Sequence, residues 1–116
     1  MGRKLPIPEW MEQAVFVEEF RYRYPNLLLF HIPNGEYRNK QTAARLKKMG
    51  VLPGVPDLFI PKYRIFIEMK NSVGGKLSKS QKEMIEMLRN ECFMTVIVAN
   101  GSTDAMIQIR GLLKND

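Results

Sequence analysis

Apolar and polar positions change period from segment to segment along the chain, and the periods predict its elements. After Pro8-Glu9, the residues Trp10, Val15, Phe16 and Phe20 recur near helical spacing until Pro25 closes the run, which predicts a first helix. Leu27 to Ile32 is a short apolar stretch bounded by Asn26 and Pro33-Asn34-Gly35, and it reads as a buried strand. Gly35 to Lys48 is polar and basic, a loop followed by a short helix near Thr42 to Met49, with Gly50 as its C-cap. Prolines and a glycine punctuate Val51 to Pro56 as loop. Asp57 to Ile60 and Ile65 to Lys70 read as two strands joined by a turn over Pro61 to Arg64, and Asn71 to Lys76 reads as a glycine-containing loop. Ser78 with Gln81 three residues on is a capping-box signature for a helix that continues through Met84, Ile85 and Leu88 to about Glu91. Thr95 to Ala99 is a β-branched strand, Gly101 to Thr103 a turn, and Asp104 to Leu113 a last helix. The order α-β-(α)-β-β-α-β-α predicts an α/β fold, a mixed sheet flanked by helices.

Length and composition narrow the class. A chain of 116 residues with 45% hydrophobic and 26% charged residues is one ordinary globular domain, spanning 1–116. Cys92 is the only cysteine, so no internal disulfide forms, which fits a reducing cytosol. The longest apolar runs are Leu27 to Phe30, Ile65 to Ile67 and Val96 to Ala99, far too short to span a membrane. Charge adds more. The formal net charge is +6, yet residues 38–82 alone carry 11 basic and 2 acidic groups, while the segments on either side are slightly acidic. A basic field of that density suits a polyanion, with nucleic acid foremost.

The two carboxylates in that basic segment are Asp57 and Glu68. Side chains alternate along a strand, so Glu68 and Lys70 project together from the end of an otherwise apolar strand. A charged pair there is costly unless compensated. A hairpin brings Asp57 near Glu68, and two converging carboxylates coexist only with a cation or a raised pKa. Oxygen ligands of this kind suit a hard divalent ion, Mg²⁺ or Mn²⁺, held by Asp57, Glu68 and a backbone carbonyl. Such an ion activates water and polarises a phosphoryl oxygen, while Lys70 orients the water or stabilises charge in the transition state.

The stretches Gly54-Val55-Pro56-Asp57-Leu58, Phe66-Ile67-Glu68-Met69-Lys70, Gly75-Lys76-Leu77-Ser78 and Gln81, with His31-Ile32-Pro33-Asn34-Gly35 upstream, resemble a stand-alone, phage-type VRR-NUC domain of the PD-(D/E)xK nuclease superfamily. The resemblance runs from about Glu9 to Leu113. It implies a restriction-endonuclease-like sheet, metal ligation by Asp57, Glu68 and the Met69 carbonyl, Lys70 as catalytic lysine, and Gln81 reaching the active site. It also implies a carboxylate from the first helix, with Glu12, beside Gln13, as first candidate and Glu9 as the alternative.

Other residues fit contact with DNA. His31, the only histidine, lies near a polar loop in which Asn34, Arg38 and Lys40 suit phosphate contact. Arg45, Lys47 and Lys48 on the short helix extend that set, and Lys76 and Lys79 flank the Gly74-Gly75 loop. The leading expectation is a Mg²⁺- or Mn²⁺-dependent DNA endonuclease. The resemblance implies a branched, four-way-junction substrate. Symmetrical cuts in two strands call for two sites on a two-fold axis, hence a homodimer. A flap or nicking nuclease and a non-catalytic DNA-binding domain are the alternatives, the latter predicting metal-independent, salt-sensitive binding.

Overall fold

In the computed structural model, which describes residues 5–33 and 39–114, four strands form one sheet in the order β1-β2-β3-β4. They are β1 (Phe30–His31), β2 (Leu58–Ile60), β3 (Ile65–Lys70) and β4 (Thr95–Asn100). The helices are α1 (Glu9–Arg23), α2 (Lys40–Lys48), α3 (Lys79–Asn90) and α4 (Ser102–Leu112), and a single 3-10 turn covers Pro61–Tyr63. β1, β2 and β3 pair antiparallel, whereas β3 and β4 are parallel and are joined through α3. The sheet is therefore mixed, as the element order predicts.

The alternation along β3 divides the molecule. Leu58, Ile60, Ile65, Ile67, Met69, Ile97 and Ala99 pack with Phe16 and Phe20 of α1 and Ala105, Met106 and Ile109 of α4. On the opposite face Phe66 and Val96 pack with Ile85 of α3, and Phe59 stacks on Phe66 at 4.3 Å between ring centroids. Both faces of β3 are covered, so all six of its residues are buried. A charged pair on this strand is thus held inside the protein.

Three predicted elements differ. Leu27 to Ile32 is no buried strand. Only Phe30–His31 pairs, at the sheet edge, and Leu28 is 63% exposed. Apolar content here marks a partly covered edge, because burial at a sheet edge depends on what the rest of the chain lays over it. α4 begins at Ser102, two residues before the predicted start, because Glu12 of α1 supplies hydrogen-bond acceptors to its first turn. α2 begins at Lys40, where Asn39 caps it by accepting the Thr42 N–H at 2.8 Å. α2 buries none of its nine residues.

Candidate active site

The register of the β2–β3 hairpin builds the centre. Leu58 pairs with Ile67, so the next step outward sets Asp57 opposite Glu68. The Asp57 carboxylate is fixed there, since its Oδ2 accepts the Met69 N–H at 2.8 Å. The Asp57 carbonyl accepts both the Ile32 N–H, at 2.8 Å, and His31 Nδ1, at 2.9 Å. β1 and β3 therefore grip the two ends of this one residue.

Glu68 is 2% exposed and Lys70 is 5% exposed. Burial, first, and then the charge and hydrogen-bonding of the adjacent Asp57 carboxyl raise the Glu68 pKa from 4.5 to about 8. Lys70 opposes the shift and Glu9 adds to it. Glu68 Oε2 lies 3.9 Å from Lys70 Nζ, a loose ion pair. Gln81 completes the contact between them. Its Oε1 accepts from Lys70 Nζ at 3.1 Å, and its Nε2 donates to Glu68 Oε2 at 3.3 Å. The same Oε1 accepts the Ser78 N–H at 2.8 Å, while Ser78 Oγ accepts the Gln81 N–H. The helix cap and the contact with the charged pair use one amide, so the capping box predicted from sequence also orients Glu68 and Lys70.

Gly54 lets this assembly close. Its φ of +86° suits glycine, and a Cβ there would collide with the Ser80 carbonyl and the Gln81 nitrogen in the first turn of α3. The Gly-Val-Pro-Asp segment thus packs its glycine on the helix that carries Gln81 and delivers Asp57 three residues later.

The two glutamates of α1 are placed differently. Glu12 is buried, and its Oε1 accepts from the Ser102 N–H at 3.1 Å and Ser102 Oγ at 3.2 Å. It thereby serves the N-terminus of α4, whose cap position, Gly101, has no side chain to do so. Gly101 in turn donates its N–H to the Lys70 carbonyl. Glu9, one turn earlier, makes the smallest contribution to the raised Glu68 pKa, through its charge, and lies beside Gly75 near the Lys70 side chain. No local sequence signal marks the Glu12 contact, because its partner lies ninety residues away.

A family model for the VRR-NUC domain matches residues 7–103. The chain belongs to the VRR-NUC family. No curated protein matches it. A solved structure described as a VRR_NUC domain protein is similar to it at 27% identity, with a TM-score of 0.78 over 96% of this chain and 92% of the other. The α/β fold with its mixed sheet is that of the family, whose name denotes a nuclease-type domain.

Within this VRR-NUC domain the residues expected to contact nucleic acid fall in several places. His31 is exposed at the sheet edge, bonded to the Asp57 backbone. Lys40, Arg45, Lys47 and Lys48 are exposed on α2, Lys76 is exposed in the loop before α3, and Lys79 is exposed as the first residue of α3. Asn34, Gly35 and Arg38 lie outside the described residues. Among the described residues no helix is long and apolar enough to cross a membrane. Two features escaped the sequence reading. Asn71, next to Lys70, has a buried Oδ1 with no hydrogen-bond partner among the described residues, and Trp10 stands 70% exposed beside Glu9. One buried amide oxygen and one exposed tryptophan leave no periodic trace in a sequence.

Proposed function

We propose that this VRR-NUC domain is a divalent-metal-dependent DNA endonuclease that acts as a homodimer on branched DNA, four-way junctions above all. The observation that carries the reading is the buried Glu68–Gln81–Lys70 cluster facing Asp57, which burial alone makes costly and which a phosphodiester hydrolase needs. The donor set suits a hard cation. Two carboxyl groups share one pocket with the Glu68 pKa raised to about 8, the strain that a divalent ion relieves. The ligands in this reading are Asp57, Glu68 and the Met69 carbonyl, the set that the resemblance implies; among the described residues no group of three His, Cys, Asp or Glu side chains stands together to hold an ion. A bound Mg²⁺ or Mn²⁺ supplies Lewis-acid polarisation of the phosphate and a more acidic water.

The chain's own residues do the rest. Lys70, desolvated and aimed by Gln81, orients the attacking water and offsets charge on the phosphoryl oxygens. Glu9 adds negative charge at the centre, and Glu12 holds α1 against α4 so that Glu9 stays there. The exposed cations of α2, with Lys76 and Lys79, take the DNA backbone. Two copies related by a two-fold axis place two centres on opposed strands of a symmetrical junction.

The test is a gel assay of labelled four-way junction, flap and linear duplex with Mg²⁺, with Mn²⁺ and with chelator. Paired metal-dependent cuts in the junction are expected. Single cuts confined to the flap would make the protein a flap or nicking nuclease. Binding that needs no metal and never cleaves would make it a DNA-binding domain. Glu9→Ala and Glu12→Ala, compared for turnover and melting temperature, separate the roles of the two glutamates. Glu9→Ala slows turnover at unchanged stability, and Glu12→Ala lowers the melting temperature.

A further inference from the structure

Asp57 stands one residue before β2, at the end of a ladder with β1 that pairs only Phe30 with Phe59 and His31 with Leu58. Two residues is shorter than an ordinary strand, so the ladder alone holds Asp57 weakly. Two further bonds extend it. The Asp57 carbonyl accepts the Ile32 N–H at 2.8 Å, and His31 Nδ1 lies 2.9 Å from the same oxygen. The side-chain amide of Gln13, on α1, lies 3.1 Å from Nδ1 as well. The chemistry of the three groups assigns the proton. A carbonyl only accepts, whereas an amide offers a donor at one end and an acceptor at the other. One arrangement therefore satisfies all of them. Nδ1 carries the proton, shared between the Asp57 carbonyl and Gln13 Oε1, and Nε2 carries none in the neutral ring. The ring thus joins α1, β1 and the residue that leads into β2.

We propose that His31 is a positioning residue: through Nδ1–H it fixes the backbone of Asp57, and with it the direction of the Asp57 carboxylate, while Gln13 steadies the ring from α1. The proposal rests on the nuclease reading, and it takes His31 out of the set that contacts DNA. The Asp57 carboxylate is already tied to β3, where its Oδ2 accepts the Met69 N–H. The His31 bond ties the other end of the same residue to β1, so neither the main chain nor the side chain of Asp57 turns without breaking a bond. Groups that hold a ligand residue in this way act on metal affinity and turnover, not on the affinity for substrate. A contact with DNA through Nε2 is the competing role. It would act on substrate affinity and would leave Nδ1 without a task.

His31 is the only histidine, so a long-range ¹H–¹⁵N correlation spectrum of the ¹⁵N-labelled chain, in chelator at pH 8, reads its tautomer directly. A proton on Nδ1 is expected, and a proton on Nε2 overturns the proposal. Junction affinity in chelator, Mn²⁺ affinity by calorimetry, and kcat and KM with Mg²⁺ are then compared across variants. His31→Ala is expected to lower kcat and Mn²⁺ affinity roughly 10- to 100-fold, with KM and junction affinity unchanged. His31→Asn puts an amide nitrogen where Nδ1 lay and recovers most of the loss, whereas His31→Gln puts it where Nε2 lay and recovers little. Gln13→Ala costs less than His31→Ala and adds nothing in the His31→Ala background. The reverse order of rescue, or weaker junction binding at unchanged kcat, overturns the proposal and returns His31 to DNA. Wild-type protein that binds Mn²⁺ and cleaves, beside a His31→Ala variant that does both equally well, sinks the positioning role and leaves the nuclease reading standing. Wild-type protein that neither binds Mn²⁺ nor cleaves sinks the nuclease reading, and the role of His31 falls with it.

Discussion

On one face of β3, Ile65, Ile67 and Met69 enter a dry core with Phe16, Phe20 and Ile109. On the other, Phe66 begins an apolar cluster that gives way after one step to Glu68 and Lys70. The same six residues, buried throughout, therefore serve a stability face and a chemistry face that differ by one position in sequence. The difference lies in what is packed opposite. Against the first face α1 and α4 lay Phe16, Phe20, Ala105 and Ile109, while α3 brings Gln81 to the second, where it satisfies the charged pair at its own N-terminus. A strand can carry buried charge when its second face is covered by a helix start, where an amide already committed to capping has acceptors and donors left over.

Substitutions on the two faces should separate cleanly. Lys70→Ala is expected to cut the cleavage rate at least about 100-fold while leaving binding of a four-way junction largely in place, as loss of a transition-state group does. Ile67→Ala, three residues away on the opposite face, is expected to cost about 2–5 kcal/mol of stability by leaving a cavity. Denaturant unfolding of both variants beside a cleavage assay checks this pair. A Lys70→Ala enzyme that cleaves normally would remove the lysine from the chemistry.

Gly54→Ala joins the two kinds of effect. The new methyl meets the Ser80 carbonyl at a positive φ, so a loss of about 1–3 kcal/mol is expected together with slower cleavage, because Gln81 shifts with its helix turn. Loss of stability at an unchanged rate would show that the loop and the centre are independent.

The chemistry face also makes stability depend on pH. With the Glu68 pKa at about 8 in the folded protein, against 4.5 ordinarily, the folded chain keeps a proton that the unfolded chain has released across that window. Its contribution is complete below about pH 4.5 and is lost as the pH rises toward 8, so metal-free protein should melt at lower temperature at pH 8 than at pH 5. Glu68→Gln should flatten that slope, which melts in chelator at the two pH values measure. Mn²⁺ binding at pH 7 should release a proton from the wild type, visible as a calorimetric heat that depends on the buffer.

The smallest effect belongs to the cap. Ser78→Ala removes the acceptor for the Gln81 N–H and is expected to cost about 1 kcal/mol with a modest loss of rate. A loss of stability with no change in rate would assign Ser78 to the helix alone.

Much of this was legible in the sequence because it is local. Strand alternation separates Ile67 from Glu68, and the serine-to-glutamine spacing marks the start of α3. The Gly-Val-Pro-Asp turn places Asp57 at the head of a hairpin whose register then follows. The spacing of Glu68 and Lys70 sets both on one face whatever surrounds them. Contacts between distant segments had no such signature. Nothing local tells Glu9 from Glu12, because which of them meets α4 depends on where a helix ninety residues later begins. The same holds for Leu27 to Ile32, apolar enough for a core yet left at an edge. It holds also for Trp10, exposed beside an acidic centre while Phe16 and Phe20 are buried. Period and turn chemistry are properties of neighbouring residues, whereas burial and partnership at these positions are set by the surfaces that the completed fold brings against them.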